Sequence, residues 1–446
     1  MSTLRFTPAA RPLHPMLVTL LAGCAALACY ACMYAFRKPF AAATFGGTEF
    51  VGVDYKVWLV VAQVLGYMTS KFIGIRVIGE LDHSRRARLL LLLIGAAWLA
   101  LLGFALVPAP WNIPFLFLNG LPLGMVWGVV FSYLEGRRTT EAMGAILASS
   151  FIFASGVVKM VGKSLLLAGV SDFWMPFLTG AIFVLPLVVA VWLLERIPEP
   201  DAADRAARSE RRGLNAEERR AFIARFLPGL VLAIACYVAL TVVRDFRDNF
   251  EAELFADLGY GNSATVFAQI ETPIAIAVLL LTAGLMLVRD NLRGLMTMHA
   301  LMLAGLATAG LSTLAFQAGT LAPLWWLGLV GFGLYLAYVP FNCVFFERLI
   351  ATFRVAGNVG FLMYLADAFG YLGSVTVLLV KEFADLQLSW TGFFAEAVLR
   401  LAMFGSLALV GSALYFHYKT RRVGLGPPLP EATAGRPGPT LRSRPT

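Results

Sequence analysis

Six ionisable residues stand inside long apolar runs of this 446-residue chain: Arg37, Lys71, Lys159, Arg244, Glu271 and Asp367. In hydrocarbon such groups cost roughly 2.5–3.5 kcal/mol each near the centre of a span, so they call for partners or a wet cavity, and function is the default reading. Arg37 and Arg244 close related stretches, Cys29-Tyr-Ala-Cys-Met-Tyr-Ala-Phe-Arg37 and Cys236-Tyr-Val-Ala-Leu-Thr-Val-Val-Arg244, which align without a gap at an offset of 207. A guanidinium is permanently charged, planar and bidentate, and suits the oxygens of phosphate or carboxylate better than an ammonium does. Two of them across a cleft can clamp a dianion. With Lys71 and Lys159, four cations stand against two carboxylates, a balance that favours an anionic ligand. Asp367 and Glu271 are the candidates for proton coupling, because a carboxyl group at membrane depth can shed its charge by binding a proton. The alternative is fixed ion pairing, for instance Asp367 with Arg37 or Lys159, and Glu271 with Lys159 or Arg244. Lys163 reads as snorkelling to the interface, and Arg400 with Glu396, one turn apart, as a local pair.

The elements that position these groups follow from composition. The chain is 59% hydrophobic and 14% charged, with mean hydropathy +0.75, whereas soluble chains average roughly 45–50% apolar and 25% charged. Apolar segments of spanning length fall at 15–37, 56–78, 88–107, 113–134, 143–168 and 174–194, and again at 227–249, 264–288, 293–316, 323–346, 357–381 and 393–418. The expected fold is an all-α membrane protein of twelve transmembrane helices in two six-helix halves. Its parts are an N-terminal half (1–194), a charged cytoplasmic linker (195–226), a C-terminal half (227–422) and a disordered tail (423–446). Two parallel repeats about an axis normal to the membrane are the usual build of secondary transporters, and place Arg37 and Arg244 across a central cleft.

Orientation follows from basic residues, which concentrate on the cytoplasmic side. Putting both termini in the cytoplasm of an inner-membrane protein collects 26 of the 36 Lys and Arg residues on that face. It leaves Lys38, Lys56 and Lys381 at the outer margins and aligns Trp111, Trp174, Trp325, Trp326 and Trp390 as an outer aromatic belt. The net charge of +9 is therefore topological, and nucleic acid drops out as a partner. The five cysteines lie in apolar runs without ligand spacing and read as free packing residues. No metal cluster, nucleophile constellation or phosphate-binding glycine loop appears, so neither an enzyme nor a cofactor is expected. The expected partners are the bilayer, a small anionic solute and a coupling proton, and the chain is expected to be a monomer.

The motif Tyr30-x-x-x-Tyr34-x-x-Arg37-Lys38-x-Phe40, with Gly66-Tyr67-x-x-Ser70-Lys71-Phe72-Ile73 and Gly120-x-x-x-Gly124-Met-x-Trp127, resembles the organophosphate:phosphate antiporter branch of the major facilitator superfamily. The resemblance implies that Tyr30, Tyr34, Arg37, Tyr67 and Lys71 bind the anion, with Arg244 as second guanidinium. The chain departs from that branch in two places. Span five carries Ala154, Ser155 and Lys159 where the branch has a histidine, and Val243-Arg-Asp-Phe-Arg-Asp-Asn-Phe250 is denser in charge. These differences suggest a separate subfamily with its own ligand. Tyr335 and Tyr338 read as packing residues. The function expected from this reading is secondary transport of a small organic anion, a phosphate ester or phosphate among them, by alternating access. The alternatives are a non-transporting sensor with the same site and a transporter of a non-phosphorylated solute.

Overall fold

A computed structural model describes residues 15–79, 83–135, 137, 139–198, 204, 216–285, 287–353, 360–383 and 389–422. The tail from 423 and most of the charged linker lie outside the described residues. Within them the chain is helical apart from short connections and one two-stranded hairpin, β1 (Glu49–Phe50) with β2 (Val53–Asp54).

Helices α1 (Pro15–Tyr34), α2 (Tyr55–Gly79), α3 (Arg86–Leu106), α4 (Ile113–Ser132), a bent pair α5 (Thr140–Ala148) and α6 (Ser150–Leu167), and α7 (Met175–Glu195) make the first six crossings. The second six begin with α8 (Ala216–Asn249). After the short α9 (Glu251–Asp257) come α10 (Val266–Leu285), α11 (Asn291–Gln317), and α12 (Pro323–Pro340), which runs into α13 (Phe346–Phe353). The last two are α14 (Gly360–Phe383) and α15 (Trp390–Arg422). Eleven described helices are long and apolar enough to cross a membrane. The remaining long one, α14, has 24 residues, about 36 Å of helix, and carries Asp367, Lys381 and Glu382.

Two boundaries differ from the sequence reading, each for a local reason. α8 starts at Ala216 rather than 227, because Glu217 and Glu218 occupy its first turn, where carboxylates meet the positive end of the helix dipole. α1 stops at Tyr34 rather than running to Arg37. Pro39 has no N–H to donate and its ring obstructs the carbonyl four residues back. The chain tightens into i→i−3 bonds at Ala35, Phe36 and Arg37 and continues as a 3-10 turn over Pro39–Ala42.

Close approach of α2 and α4 rests on two glycines. A Cβ on Gly66 would lie 2.2 Å from the Phe117 carbonyl oxygen, and one on Gly120 2.2 Å from that of Gln63. Across the halves, α6 meets α10 at Gly156, where a Cβ would stand 2.6 Å from the Glu271 Cβ. Trp111 and Trp325 are exposed as a belt requires, but Trp326 is fully buried. It stacks on Phe316 at 4.1 Å and donates to the Thr313 hydroxyl at 3.0 Å. Helical periodicity explains the error, since neighbours such as Trp325 and Trp326 point about 100° apart. Cys29, Cys32 and Cys236 are buried free thiols and Cys24 an exposed one. Arg400 and Glu396 form the exposed i,i+4 pair expected of them, at 2.7 Å.

Candidate functional site

The break after α1 builds the first part of the site. Tightening the helix releases the carbonyls of Phe36 and Arg37, and polar side chains buried in α2 and α4 satisfy them. Asn119 donates to the Phe36 carbonyl at 2.8 Å and to that of Ala97 at 2.9 Å. Gln63 donates to the Arg37 carbonyl at 2.9 Å and to the Asn119 side chain at 2.8 Å. Irregular backbone at membrane depth is tolerated only where protein or a cavity satisfies it, and Gly66 and Gly120 bring these two amides within reach. The Arg37 guanidinium is thereby laid over the Tyr67 ring, 4.0 Å from its centroid, a favourable cation–π contact. Tyr67 is the thirteenth residue of the 25-residue α2, about 18 Å from the hairpin end of that helix, so the Arg37 guanidinium lies about halfway along α2. Tyr30 and Tyr34 stand edge to face at 5.6 Å on the last turns of α1, with Tyr30 also against Trp127 and Phe151.

Arg244 arrives differently. α8 stays helical through it, and its guanidinium lies 4.0 Å over the Tyr338 ring while its terminal nitrogen holds Asp245 at 2.5 Å. Tyr338 is therefore part of the site and not only packing. Pro340 ends α12 and a π-helical turn follows at Phe341–Phe345, which puts Asn342 3.0 Å from the Tyr237 hydroxyl. Tyr34 and Tyr371 each stand near both Arg37 and Arg244, which places the two guanidiniums beside one group of tyrosines. Tyr67 and Tyr371 meet edge to face at 5.6 Å across the halves.

The other predicted cations and carboxylates are each ion-paired. Lys71 pairs across the halves with Asp367, which also accepts from the Tyr237 hydroxyl at 2.6 Å. Lys159, 1% exposed in its side chain, pairs with Asp248 at 2.9 Å and Glu251 at 2.7 Å. Glu271 pairs with Arg247 at 2.5 Å. Fixed pairing is thus the observed state of Lys159, Glu271 and Asp367, with partners other than those expected. Lys159 was expected to face the ligand, but Asp248 and Glu251 take all of its charge.

The pairing belongs to a larger seam that the sequence reading missed. At the hairpin-side face, Lys38 meets Asp248 at 2.5 Å and Asn249 at 2.8 Å, and Lys56 holds both Glu253 oxygens at 2.6 and 2.7 Å. Lys38 and Lys56, expected at the outer margin, are 4% and 0% exposed. Three lysines of the N-terminal half thus bind three carboxylates of the C-terminal half. Burial pushes the Glu253 carboxyl up to about 7, against the pull of Lys56. Burial likewise brings Lys38 down to about 8, with Asp248 opposing. The available signal was the charge density of 243–250, which continues through Glu251 and Glu253. Asp248 closes α8 and Glu251 opens α9, and both meet Lys159.

Along this belt, each of the six carboxylates Asp245, Asp248, Glu251, Glu253, Glu271 and Asp367 is bound to a cation. Of its cations, Arg37 is the one with no carboxylate among the described residues; its Nε, like those of Arg244 and Arg247, has no hydrogen-bond partner. No group of His, Cys, Asp and Glu suited to a metal ion occurs among the described residues.

Residues 39–419 match the model of a family described as "Family of unknown function (DUF5690)", and the chain belongs to that family. No curated protein matches. Solved structures with the same architecture include the xylose transporter XylE from E. coli in a partially occluded inward open conformation. It is 13% identical, with TM-score 0.57, covering 91% of this chain and 98% of that one. The nucleoside transporter NupG is 11% identical, with TM-score 0.57 and coverage of 90% and 100%. A bacterial homologue of the human lysosomal transporter Spinster, inward-facing and unoccupied, is 12% identical, with TM-score 0.56 and coverage of 92% and 98%. The chain therefore has the all-α major facilitator fold.

Proposed function

We propose that the chain is a secondary transporter that moves a small organic monoanion across the membrane by alternating access, with Arg37 as the anion seat. The observation that carries this reading is the unmatched charge. Every carboxylate of the interhalf belt is bound to a cation, and Arg37 has none. An uncompensated guanidinium about halfway along α2 is costly, and a ligand carboxylate neutralises it through two parallel hydrogen bonds. Tyr30, Tyr34, Tyr67 and Tyr371 surround the seat with ring faces and hydroxyls, and are the ligand's remaining contacts. Because Asp245 already holds Arg244, a singly charged group fits this state of the site better than the dianion of a phosphate ester. The seam of Lys38, Lys56 and Lys159 against Asp248, Glu251 and Glu253 closes the hairpin-side face and must part for the cleft to open there. The fold shared with sugar, nucleoside and Spinster-type transporters supports transport as the use of the cleft.

The test is a thermal-shift screen of the purified protein with monocarboxylates, phosphate esters, sugars and nucleosides, followed by uptake into proteoliposomes of whatever binds. Monoanions are expected to raise the melting temperature through preferential binding to the folded state, and Arg37→Gln to abolish that rise. Stabilisation by neutral solutes alone, undiminished in Arg37→Gln, would overturn the proposal.

A further inference from the structure

We infer that Asp245 is a specificity-determining residue: by occupying the anion-binding edge of Arg244, it restricts the site to monoanions, and its neutralisation opens a second seat that admits dianions. This rests on the anion reading of Arg37.

The geometry carries the inference. Arg244 and Arg37 are equally placed over tyrosine rings, each 4.0 Å from the centroid, and have Tyr34 and Tyr371 as common neighbours. They differ in one respect. Arg37 has no carboxylate, whereas a terminal nitrogen of Arg244 meets Asp245 Oδ1 at 2.5 Å. A carboxylate on a guanidinium edge uses the same donors that a ligand oxygen would use, so Asp245 stands in for the second charge of a dianion. Its alternative resting place is beside it. A small cavity between α2, α8 and α14 is lined by Asp245, Ser374 and Asn249 among valine, leucine and phenylalanine side chains, and the Ser374 hydroxyl already donates to Asp245 Oδ2 at 3.2 Å. With only Ser374 and Asn249 as polar groups in its walls, it solvates a displaced charge less well than a guanidinium does, so an ionised Asp245 stays on Arg244 and a second ligand charge is excluded.

The experiment uses matched probes on the full chain, benzoate as monoanion and phenylphosphonate as dianion, with affinities measured by ligand-dependent thermal shift at mildly alkaline pH. Wild-type protein is expected to prefer benzoate. In Asp245→Asn the preference should move toward phenylphosphonate by roughly tenfold or more, as expected for one released charge-assisted contact. That gain should vanish in the double variant Arg244→Gln/Asp245→Asn, because the two residues act as a pair. Asp245→Ser removes the same carboxylate, should shift the preference the same way, and serves if Asp245→Asn is poorly folded. Benzoate binding that depends on Arg37, with the probe preference unmoved in both Asp245→Asn and Asp245→Ser, overturns the role of Asp245 and leaves the Arg37 seat standing. Binding of either probe that is indifferent to Arg37→Gln overturns the seat itself.

Discussion

Replacing Arg37 with glutamine separates a ligand-binding charge from a structural one through two readouts of opposite sign. Arg37 has no carboxylate to strand when it is removed, and the change deletes an uncompensated charge about halfway along α2. Such a charge costs up to roughly 2.5–3.5 kcal/mol on insertion-based scales. The cation–π contact with Tyr67 at 4.0 Å offsets part of that, by about 0.5–2 kcal/mol. The ligand-free variant should therefore be as stable as wild type or more so. Its affinity for the monoanion should fall by roughly tenfold to more than a hundredfold, the loss expected when a charged hydrogen bond worth about 1.5–3 kcal/mol is removed. Arg37→Lys should retain stability and lose part of the same affinity, since it keeps the charge but not the bidentate edge. Both quantities come from detergent-solubilised protein, the melting temperature without ligand and its shift across a ligand titration. A melting temperature that falls in Arg37→Gln while affinity in the surviving protein is unchanged would refute the reasoning, because it would make Arg37 a structural counter-ion.

Lys159→Met should behave in the opposite way: it leaves Asp248 and Glu251 short of a buried partner, and breaking a buried pair costs about 3–5 kcal/mol, so the melting temperature drops sharply. For Glu253 the sign follows from its raised value. A carboxyl group whose folded-state pKa is about 7 binds more protons folded than unfolded between the usual carboxylate range and about 7, so its contribution declines as pH rises through that window. Melting curves of Glu253→Gln across that range should show a flatter pH slope than wild type, and an unchanged slope would remove Glu253 as the source. Asn119→Ala should strand the Phe36 carbonyl, costing about 1–3 kcal/mol for a buried group left unpaired, while the Ala97 carbonyl keeps its partner within α3. It should also weaken ligand binding in the protein that survives, by releasing the segment that aims Arg37.

The crossings were legible because hydrocarbon imposes a length and an apolarity that few soluble helices meet, and the deep charges were legible for the same reason. Their partners were not. Arg37, Tyr67 and Lys71 could be grouped from motif spacing along two adjacent spans. By contrast, the pairing of Lys71 with Asp367, or of Lys56 with Glu253, joins residues about two hundred or more positions apart, and no local pattern states which faces meet. Charge at span ends misled in a particular way. Lys38 and Lys56 sit where a snorkelling lysine would sit, and one chain alone shows no difference between a lysine facing lipid headgroups and one facing a carboxylate on the opposite half. The tyrosines divided similarly. Tyr30, Tyr34 and Tyr67 came with a motif, whereas Tyr338 and Tyr371 matter because Arg244 and Tyr67 happen to lie against them.

The repeat itself shows how little sequence is needed to turn two equivalent halves into one directional site. Each half closes its first span with Cys-Tyr and, seven residues after the tyrosine, an arginine, and the next two residues decide what that arginine does. After Arg37 come Lys38 and Pro39. The proline ends α1 and leaves carbonyls for Gln63 and Asn119 to catch, while the lysine leaves for the opposite half to bind Asp248. Arg37 is left without a carboxylate, held by its backbone and by a ring. After Arg244 come Asp245 and Phe246. With no proline the helix continues to Asn249, and the aspartate is positioned to take the guanidinium for itself. On the proposed reading, an arginine whose backbone is fixed and whose charge is unmet is prepared for a ligand, whereas one on a regular helix with a resident carboxylate must first be released. The asymmetry between the two arginines therefore lies in Lys38-Pro39 against Asp245-Phe246.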